Sequence, residues 1–140
     1  MGNKISVRKI GFEDIKYLIN KGTKFIIINT LDEREQNCLI EGTISPTDEV
    51  NIINRAISNP TLYIIIYGKN YNDSSIYEKY NKLTTLGFNN VFVYPGGIFE
   101  WLCLQDIYGI NEFPTTSKEM DILKYKPPPV INTLLLTDID

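Results

Sequence analysis

The sequence predicts an α/β layer fold, in which helices alternate with buried parallel strands and the crossovers are right-handed. Three short apolar runs rich in β-branched and aromatic residues, at residues 25–28, 62–67 and 91–94, support this prediction. Uninterrupted apolar runs of this length are typical of strands that are buried on both faces. The segments between the runs repeat their apolar residues with a helical period, and parallel strands need such crossover connections.

Three helices are predicted in chain order. Residues 12–19 carry apolar side chains on one face, and a cation followed by Gly22 is a common helix stop. Residues 50–57 carry a second apolar stripe, which Pro60 ends because proline disfavours helix at the residue before it. Residues 76–83 carry a third stripe, again with a glycine stop behind it.

The two ends of the chain depart from this pattern. Residues 6–10 are predicted to form one more short strand. Beyond residue 115 the turn residues and the Lys-Pro-Pro-Pro run at 126–129 favour turn and polyproline geometry, and the apolar run 134–136 follows. We expect this tail to pack on the domain or on a partner, because loops that long seldom lie unstructured within a compact fold. The chain is thus divided into an acylation-type segment 1–5, a domain 6–115 and a C-terminal tail 116–140 with a Pro-rich turn.

Composition limits the available chemistry. The chain has 140 residues, 43% of them hydrophobic and 22% charged, which is typical of one globular domain. It contains no histidine, and so it lacks the imidazole of Ser-His and Cys-His nucleophile pairs and of the usual Cys/His zinc sites. We expect neither a metal site nor a cofactor.

Charge and hydropathy bear on partners and location. The net charge of -3 argues against nucleic acid as a partner, because binding to its backbone needs an excess of cations. No apolar run approaches the roughly 18 residues of a membrane span, and the N-terminus lacks the apolar core of a secretion signal. We therefore expect a cytoplasmic protein in which Cys38 and Cys103 are reduced thiols.

The most specific motifs lie around the third apolar run. Residues 86–91 read LGFNNV, residues 94–101 read YPGGIFEW, and an earlier turn at residues 38–44 reads CLIEGTI. In this order the chain resembles the rhodanese-like domain family, in which a helix ends at Leu-Gly-Phe, a strand follows, and a Gly-Gly turn leads into a helix carrying Trp. The resemblance covers about residues 6–115. It implies a single α/β domain with a mostly parallel sheet of about five strands and helices on both faces.

The resemblance also identifies the loop on which activity depends. A rhodanese has a cysteine directly after the central strand, backbone N–H groups curled around its sulfur, and often an arginine five residues later. Here that loop reads Gly68-Lys69-Asn70-Tyr71-Asn72-Asp73, with glycine at the cysteine position and aspartate at the arginine position. Glycine has no nucleophile, and aspartate reverses the charge that would help to bind an anion. The resemblance therefore implies a catalytically silent domain, with no catalytic residue assigned.

Two further positions depart from the family pattern. Where the family often has Asp and, two residues later, Arg at the end of the first strand, this chain has Asn29 and Leu31. Leu39 stands where the family has a turn histidine. We expect a structural ion pair to be missing, while the signature of the fold is kept.

The loop and the two cysteines leave alternatives open. Asp73 or Asn72 is a good N-cap for the helix that follows, whose first N–H groups would then face a small anion or a partner carboxylate, and Tyr71 is a candidate contact residue. Equally, the loop could be a plain solvated connection. Cys103 lies in an apolar helix and Cys38 in a turn with more chance of exposure, yet we favour a structural role for both.

The N-terminus matches an acylation pattern. Gly2 would accept myristate once Met1 is removed, and Ser6 occupies the favourable hydroxyl position. A cationic cluster, Lys4, Arg8 and Lys9, would add attraction to an anionic membrane surface, since one myristoyl chain binds only marginally. The alternative is a chance Met-Gly start, and the pattern applies only to a eukaryotic or eukaryote-infecting source.

Together these features predict a catalytically inactive rhodanese-like domain that acts as a protein-binding or scaffolding module, tethered to a membrane if Gly2 is acylated. The competing prediction is an active sulfurtransferase, with thiosulfate or persulfide chemistry on Cys38 or Cys103. The protein partner is not identified by the sequence.

Overall fold

The apolar runs form the strands of a parallel sheet, and the segments between them form helices. A computed structural model describes residues 6–131 of the chain. Its helices and strands, in chain order, are α1 (Phe12–Lys21), β1 (Phe25–Asn29), α2 (Pro46–Ala56), β2 (Tyr63–Tyr67), α3 (Ser75–Thr85), β3 (Asn90–Tyr94) and α4 (Gly97–Tyr108). Two short 3-10 helices, Glu33–Glu35 and Ile122–Tyr125, lie in the connections.

The described residues contain a sheet of three strands, in the order β1-β2-β3, and all neighbours are parallel. The expectation of about five strands is therefore not confirmed. Residues 6–10 do not form a strand, because Lys9 makes a single bridge to Val93 before Gly11 begins the cap of α1. On the other edge Thr43 makes a single bridge to Ile27 before Ser45 caps α2.

Helices cover both faces of the sheet, as the sequence predicted. Successive side chains of a strand point to opposite faces, so Ile65 and Tyr67 pack in the core beneath α1 and α4, whereas Ile64 and Ile66 pack in the core beneath α2 and α3. The first core is centred on Trp101, which is fully buried. The sheet therefore holds the carboxyl ends of β1, β2 and β3 rigidly along one edge.

The first part of the predicted tail folds back on the domain. The Thr116 N–H donates to the Leu39 carbonyl over 2.8 Å, and the Ser117 hydroxyl donates to the Asn37 carbonyl over 2.7 Å. Farther on, Tyr125 is buried in the same core as Trp101. The apolar run 134–136 lies outside the described residues. None of the described helices has the length and apolar character needed to cross a bilayer.

Candidate functional site

The loop Gly68–Asp73 leaves the carboxyl end of β2, the central strand, and leads into α3. This is the edge of a parallel sheet where ligands usually bind. Gly68 and Asn70 are buried, while Tyr71 at the tip is 69% exposed. The loop is therefore held by the domain on one side and open to solvent on the other.

The carboxylate of Asp73 points into the loop. Its Oδ2 accepts a hydrogen bond from the Lys69 N–H over 2.9 Å, and its Oδ1 accepts from the Ser75 N–H over 3.0 Å and the Ser75 hydroxyl over 2.6 Å. Ser74, rather than Asp73 or Asn72, occupies the N-cap position of α3. The N–H of Ser75, expected to face a ligand, is bonded to Asp73, because this side chain is short enough to turn back on its own loop.

Asp73 also occupies the space that a side chain at Gly68 would need. A Cβ atom at Gly68 would overlap the Asp73 Oδ2 atom and would lie 2.9 Å from both Asp73 Cγ and Thr30 Oγ1. Side chains essentially never approach each other so closely, so a cysteine here would require Asp73 to move. The space next to Gly68 is thus filled by the carboxylate of Asp73.

A second side chain, that of the buried residue Asn70, bonds the loop to the tail. Asn70 donates from Nδ2 to the Tyr125 carbonyl over 2.8 Å, and its Oδ1 accepts from the Asn72 N–H over 2.9 Å. The Asn70 carbonyl in turn accepts from the Asp73 N–H over 3.0 Å. The folded tail is therefore bonded directly to the loop, a contact that no sequence pattern indicated.

The start of α4 is bonded to the same loop. The N–H groups of Ile98 and Phe99 donate to the carbonyls of Gly68 and Lys69, each over 3.0 Å. Gly97 makes this approach possible, because its φ is 66° and a Cβ there would lie 2.6 Å from the Gly68 carbonyl oxygen. The Gly-Gly turn of the sequence motif is thus a backbone contact with the loop.

An ion pair and a hydroxyl contact flank the loop. The Lys69 ammonium lies 3.0 Å from the Glu35 carboxylate at a partly exposed position. The Ser75 hydroxyl oxygen, whose proton is donated to Asp73, lies 2.7 Å from Thr30 Oγ1, which connects the start of α3 to the residue after β1. The charges next to the loop are therefore paired within the chain.

The departures at Asn29 and Leu39 have structural partners. Instead of an ion pair, the amides of Asn29 and Gln36 bond to each other, over 3.1 Å in one direction and 2.8 Å in the other. Leu39 is buried, and its backbone exchanges two hydrogen bonds with Thr116 of the tail. Apolar and amide contacts hold these turns in place of charged groups.

The two thiols are placed differently from expectation. Cys38, which was expected to have the better chance of exposure, is 1% exposed because the tail covers its turn, and its Sγ donates to the Ser117 carbonyl over 3.3 Å. Cys103 on α4 is partly exposed. Burial raises the pKa of both thiols, and for Cys103 the charges of Asp106 and Glu100 act in the same direction. Both environments disfavour the reactive thiolate.

Two buried tyrosines end the strands next to the site. Tyr67 is the last residue of β2, and its hydroxyl accepts the Ile40 N–H over 3.0 Å and lies 2.8 Å from Thr43 Oγ1. Tyr94 is the last residue of β3 and donates to Glu100 Oε1 over 2.5 Å. Burial raises the pKa of both phenols, and for Tyr94 the neighbouring Glu100 raises it further.

The predicted cationic cluster is only partly described. The Arg8 guanidinium donates to the Asn89 carbonyl and lies 4.7 Å from the centre of the Phe92 ring, and the Lys9 ammonium lies over the Tyr77 ring. Gly2 and Lys4 lie outside the described residues. Within residues 6–131 no group of three or more Cys, Asp or Glu side chains is arranged to hold a metal ion.

No family model and no curated protein matches the sequence. Solved structures do match. The solution structure of the rhodanese-like domain of the Alr3790 protein from Anabaena sp. superposes with a TM-score of 0.57 and 22% identity, covering 89% of this chain and 88% of that one. A crystal structure of Alr3790 gives 0.55 and 20%, covering 93% and 89%. A full-length protein from Lactobacillus plantarum gives 0.58 and 14%, covering 79% and 88%.

These similarities agree with the α/β order of the elements. At such low identity they establish the architecture. The chain therefore has the fold of the rhodanese-like domains.

Proposed function

We propose that the chain is a catalytically silent rhodanese-like domain that acts as a protein-binding or scaffolding module. The proposal rests on one observation, the placement of the Asp73 carboxylate where the side chain of a nucleophile at Gly68 would lie. A persulfide or thiolate at this point would meet a negative charge at van der Waals distance, which is strongly unfavourable in a partly buried site.

The remaining thiols do not compensate for the missing nucleophile. Cys38 is buried under the tail and Cys103 lies on a helix, so neither is surrounded by loop N–H groups. Because burial raises the pKa of both thiols, the thiolate fraction near neutral pH is small. This supports a structural role for both cysteines.

A binding role is supported by the way the loop is presented. Asp73 and Asn70 fix the loop from inside, while Tyr71 projects from its tip. A rigid loop loses little conformational entropy when a partner binds, and exposed aromatic residues contribute strongly to binding energy. The loop Gly68–Asp73 is thus a candidate contact surface for a partner, and this role requires no reactive side chain.

Formation of thiocyanate from thiosulfate and cyanide tests the proposal. We expect the wild-type protein and the C38S/C103S variant to show the same rate as a blank without protein. Turnover by the wild type that disappears in C38S/C103S would overturn the silent-domain proposal and would identify the competing sulfurtransferase. A bona fide rhodanese in the same assay shows that the reagents work.

We further propose that Gly2 carries myristate and that Arg8 and Lys9 contribute to attraction towards an anionic membrane. Both residues are exposed although their charged groups lie over aromatic rings. The intact mass of protein made in a eukaryotic host should show loss of Met1 and gain of one myristoyl group. The G2A variant is the matched control, and an unmodified wild-type mass in that host would refute the tether.

A further inference from the structure

A hollow of about 290 Å³ lies between the end of α4 and the folded tail, away from the loop Gly68–Asp73. Its apolar wall is formed by Leu102, Ile110, Met120 and Ile122, and its polar wall includes Asp106 and Lys118. We infer that this hollow receives an apolar side chain of a partner peptide in which a neighbouring residue is cationic. The inference rests on the proposed protein-binding function and names the surface and the chemistry of the partner.

Two of the apolar side chains around the hollow are exposed. Met120 is 80% exposed and Ile110 is 43% exposed, whereas Leu102 is fully buried. Isolated apolar residues on a surface are ordinary, but a concave apolar group is typical of binding sites. Methionine adapts its shape readily and is often used on surfaces that bind peptides.

The charge at the end of α4 favours a cation. The carbonyl groups at the C-terminus of a helix carry a partial negative charge, which lysine or arginine in the last turn commonly offsets. The last turn of α4 has no basic residue and carries Asp106 instead. Among residues 6–131, the ion pairs within 4.0 Å do not include Asp106. A cation of the partner would supply the missing charge.

The other polar groups of the hollow do not compete for this role. Glu119 is paired with Lys124 over 2.5 Å, and the Gln105 amide donates to the Phe113 carbonyl over 2.7 Å and to Thr115. Lys118, on the tail side, forms no ion pair within the part of the chain that is described. It is placed to donate to a carbonyl oxygen of a bound peptide backbone.

Titration of the isotope-labelled full chain with acetyl-Arg-Leu-amide, followed by amide chemical shifts, tests the inference. We expect saturable shifts confined to residues 102–110 and 118–122. Acetyl-Glu-Leu-amide should bind more weakly because it repels Asp106, and acetyl-Arg-Gly-amide should bind more weakly because it lacks the apolar anchor.

Two exposed positions provide the variants. D106N should raise the dissociation constant of acetyl-Arg-Leu-amide by about threefold, whereas D48N, a matched change in an exposed carboxylate of α2, should leave it unchanged. M120S should also weaken binding, and since Met120 is exposed the fold should be retained. Equal effects of D106N and D48N would refute the role of charge.

Three outcomes overturn the inference: the absence of saturable shifts, shifts centred on another surface, or equal affinity for the Arg and Glu peptides. Concentration-dependent sedimentation with shifts in the same hollow would mean that a second copy of the chain occupies it. Each of these results leaves the thiocyanate assay unaffected, so failure of this inference and failure of the silent-domain proposal are distinguishable.

Discussion

Two connections leave the same edge of the sheet and differ in how their backbone groups are satisfied. The loop Gly68–Asp73 joins β2 to α3, and its N–H groups at Lys69 and Ser75 bond to the carboxylate of Asp73. The turn between β3 and α4 has no such side chain. Its N–H groups at Ile98 and Phe99 bond instead to carbonyls of the first loop.

The loop keeps its shape through an acceptor that lies within the chain. The Asp73 carboxylate accepts from the N–H groups of Lys69 and Ser75, so these donors need no bound ligand. The carbonyls of the loop are satisfied by α4, and this contact depends on Gly97. The β2–α3 loop is therefore stabilised by the side chain of Asp73, and the β3–α4 turn by hydrogen bonds between its backbone and that of the loop.

The largest expected effect tests the backbone approach. Gly97 and Gly22 have nearly the same φ, 66° and 68°, but a Cβ at Gly97 would strike the Gly68 carbonyl while a Cβ at Gly22 meets nothing within 4 Å. We expect G97A to lower the free energy of unfolding by about 3 kcal/mol or more, and G22A by about 1 kcal/mol.

Urea unfolding of both variants, followed by tryptophan fluorescence, measures the difference. Alanine at either position incurs the cost of a left-handed backbone. The difference between the two losses of unfolding free energy therefore measures the collision of a Cβ at Gly97 with the Gly68 carbonyl oxygen. Equal losses in G97A and G22A would show that α4 does not depend on close contact with the loop.

The next effect tests the internal carboxylate. D73A removes the acceptor for the N–H groups of Lys69 and Ser75, and we expect a loss of about 1–2 kcal/mol of stability. D48A removes an exposed carboxylate from the first turn of α2 and should lower the free energy of unfolding by only a few tenths of a kcal/mol. Chemical denaturation of the pair checks this, and an unchanged D73A would mean that solvent satisfies the loop equally well.

A smaller effect is expected from the bond between loop and tail. N70A removes the donor to the Tyr125 carbonyl and should lower stability by about 1 kcal/mol, with faster tryptic cleavage after Lys124. N72A is the matched control in the same loop, because its exposed side chain forms no bond to the tail in the described residues. Equal cleavage rates in the two variants would contradict the anchoring role.

The smallest effect concerns pH. Tyr67 and Tyr94 have pKa values in the folded state raised by burial above the usual value of 10.0, so the folded protein holds protons that the unfolded chain releases. The contribution of these two phenols to stability should therefore be constant below about pH 10 and should fall as the pH rises above it. Unfolding midpoints at pH 8 to 11 should fall less steeply in Y94F than in the wild type, and parallel curves would rule out Tyr94 as a source of the effect.

Much of the fold was predictable because it follows from local patterns. The three apolar runs became β1, β2 and β3, and the glycine stops lie at or just after the ends of α1 and α3. The expectation of about five strands is not confirmed within residues 6–131, where residues 6–10 and the turn at Thr43 form only single bridges. The exposure of Cys38 was also misjudged, since the tail that covers it is distant in sequence.

The loop was located from the sequence, but its geometry was not, and its role as a binding site stays a prediction. Gly68 and Asp73 were located by counting from the end of a predicted strand, and the lack of a nucleophilic side chain at Gly68 follows from the residue type. Counting could not show that the Asp73 carboxylate turns into the loop or that Asn70 bonds to the tail, because both depend on rotamers and on a chain segment over fifty residues away.

The sequence by itself determined the α/β order of elements, the lack of histidine chemistry and the lack of a nucleophilic side chain at Gly68. These depend on residue type and short-range periodicity, both of which are present in the sequence. The tertiary structure decided that the Asp73 carboxylate lies where a side chain at Gly68 would lie, that α4 satisfies the loop carbonyls, and that Asn70 bonds to the tail. Such contacts arise only when distant segments pack, because a buried polar group must find its partner wherever the fold brings one within reach.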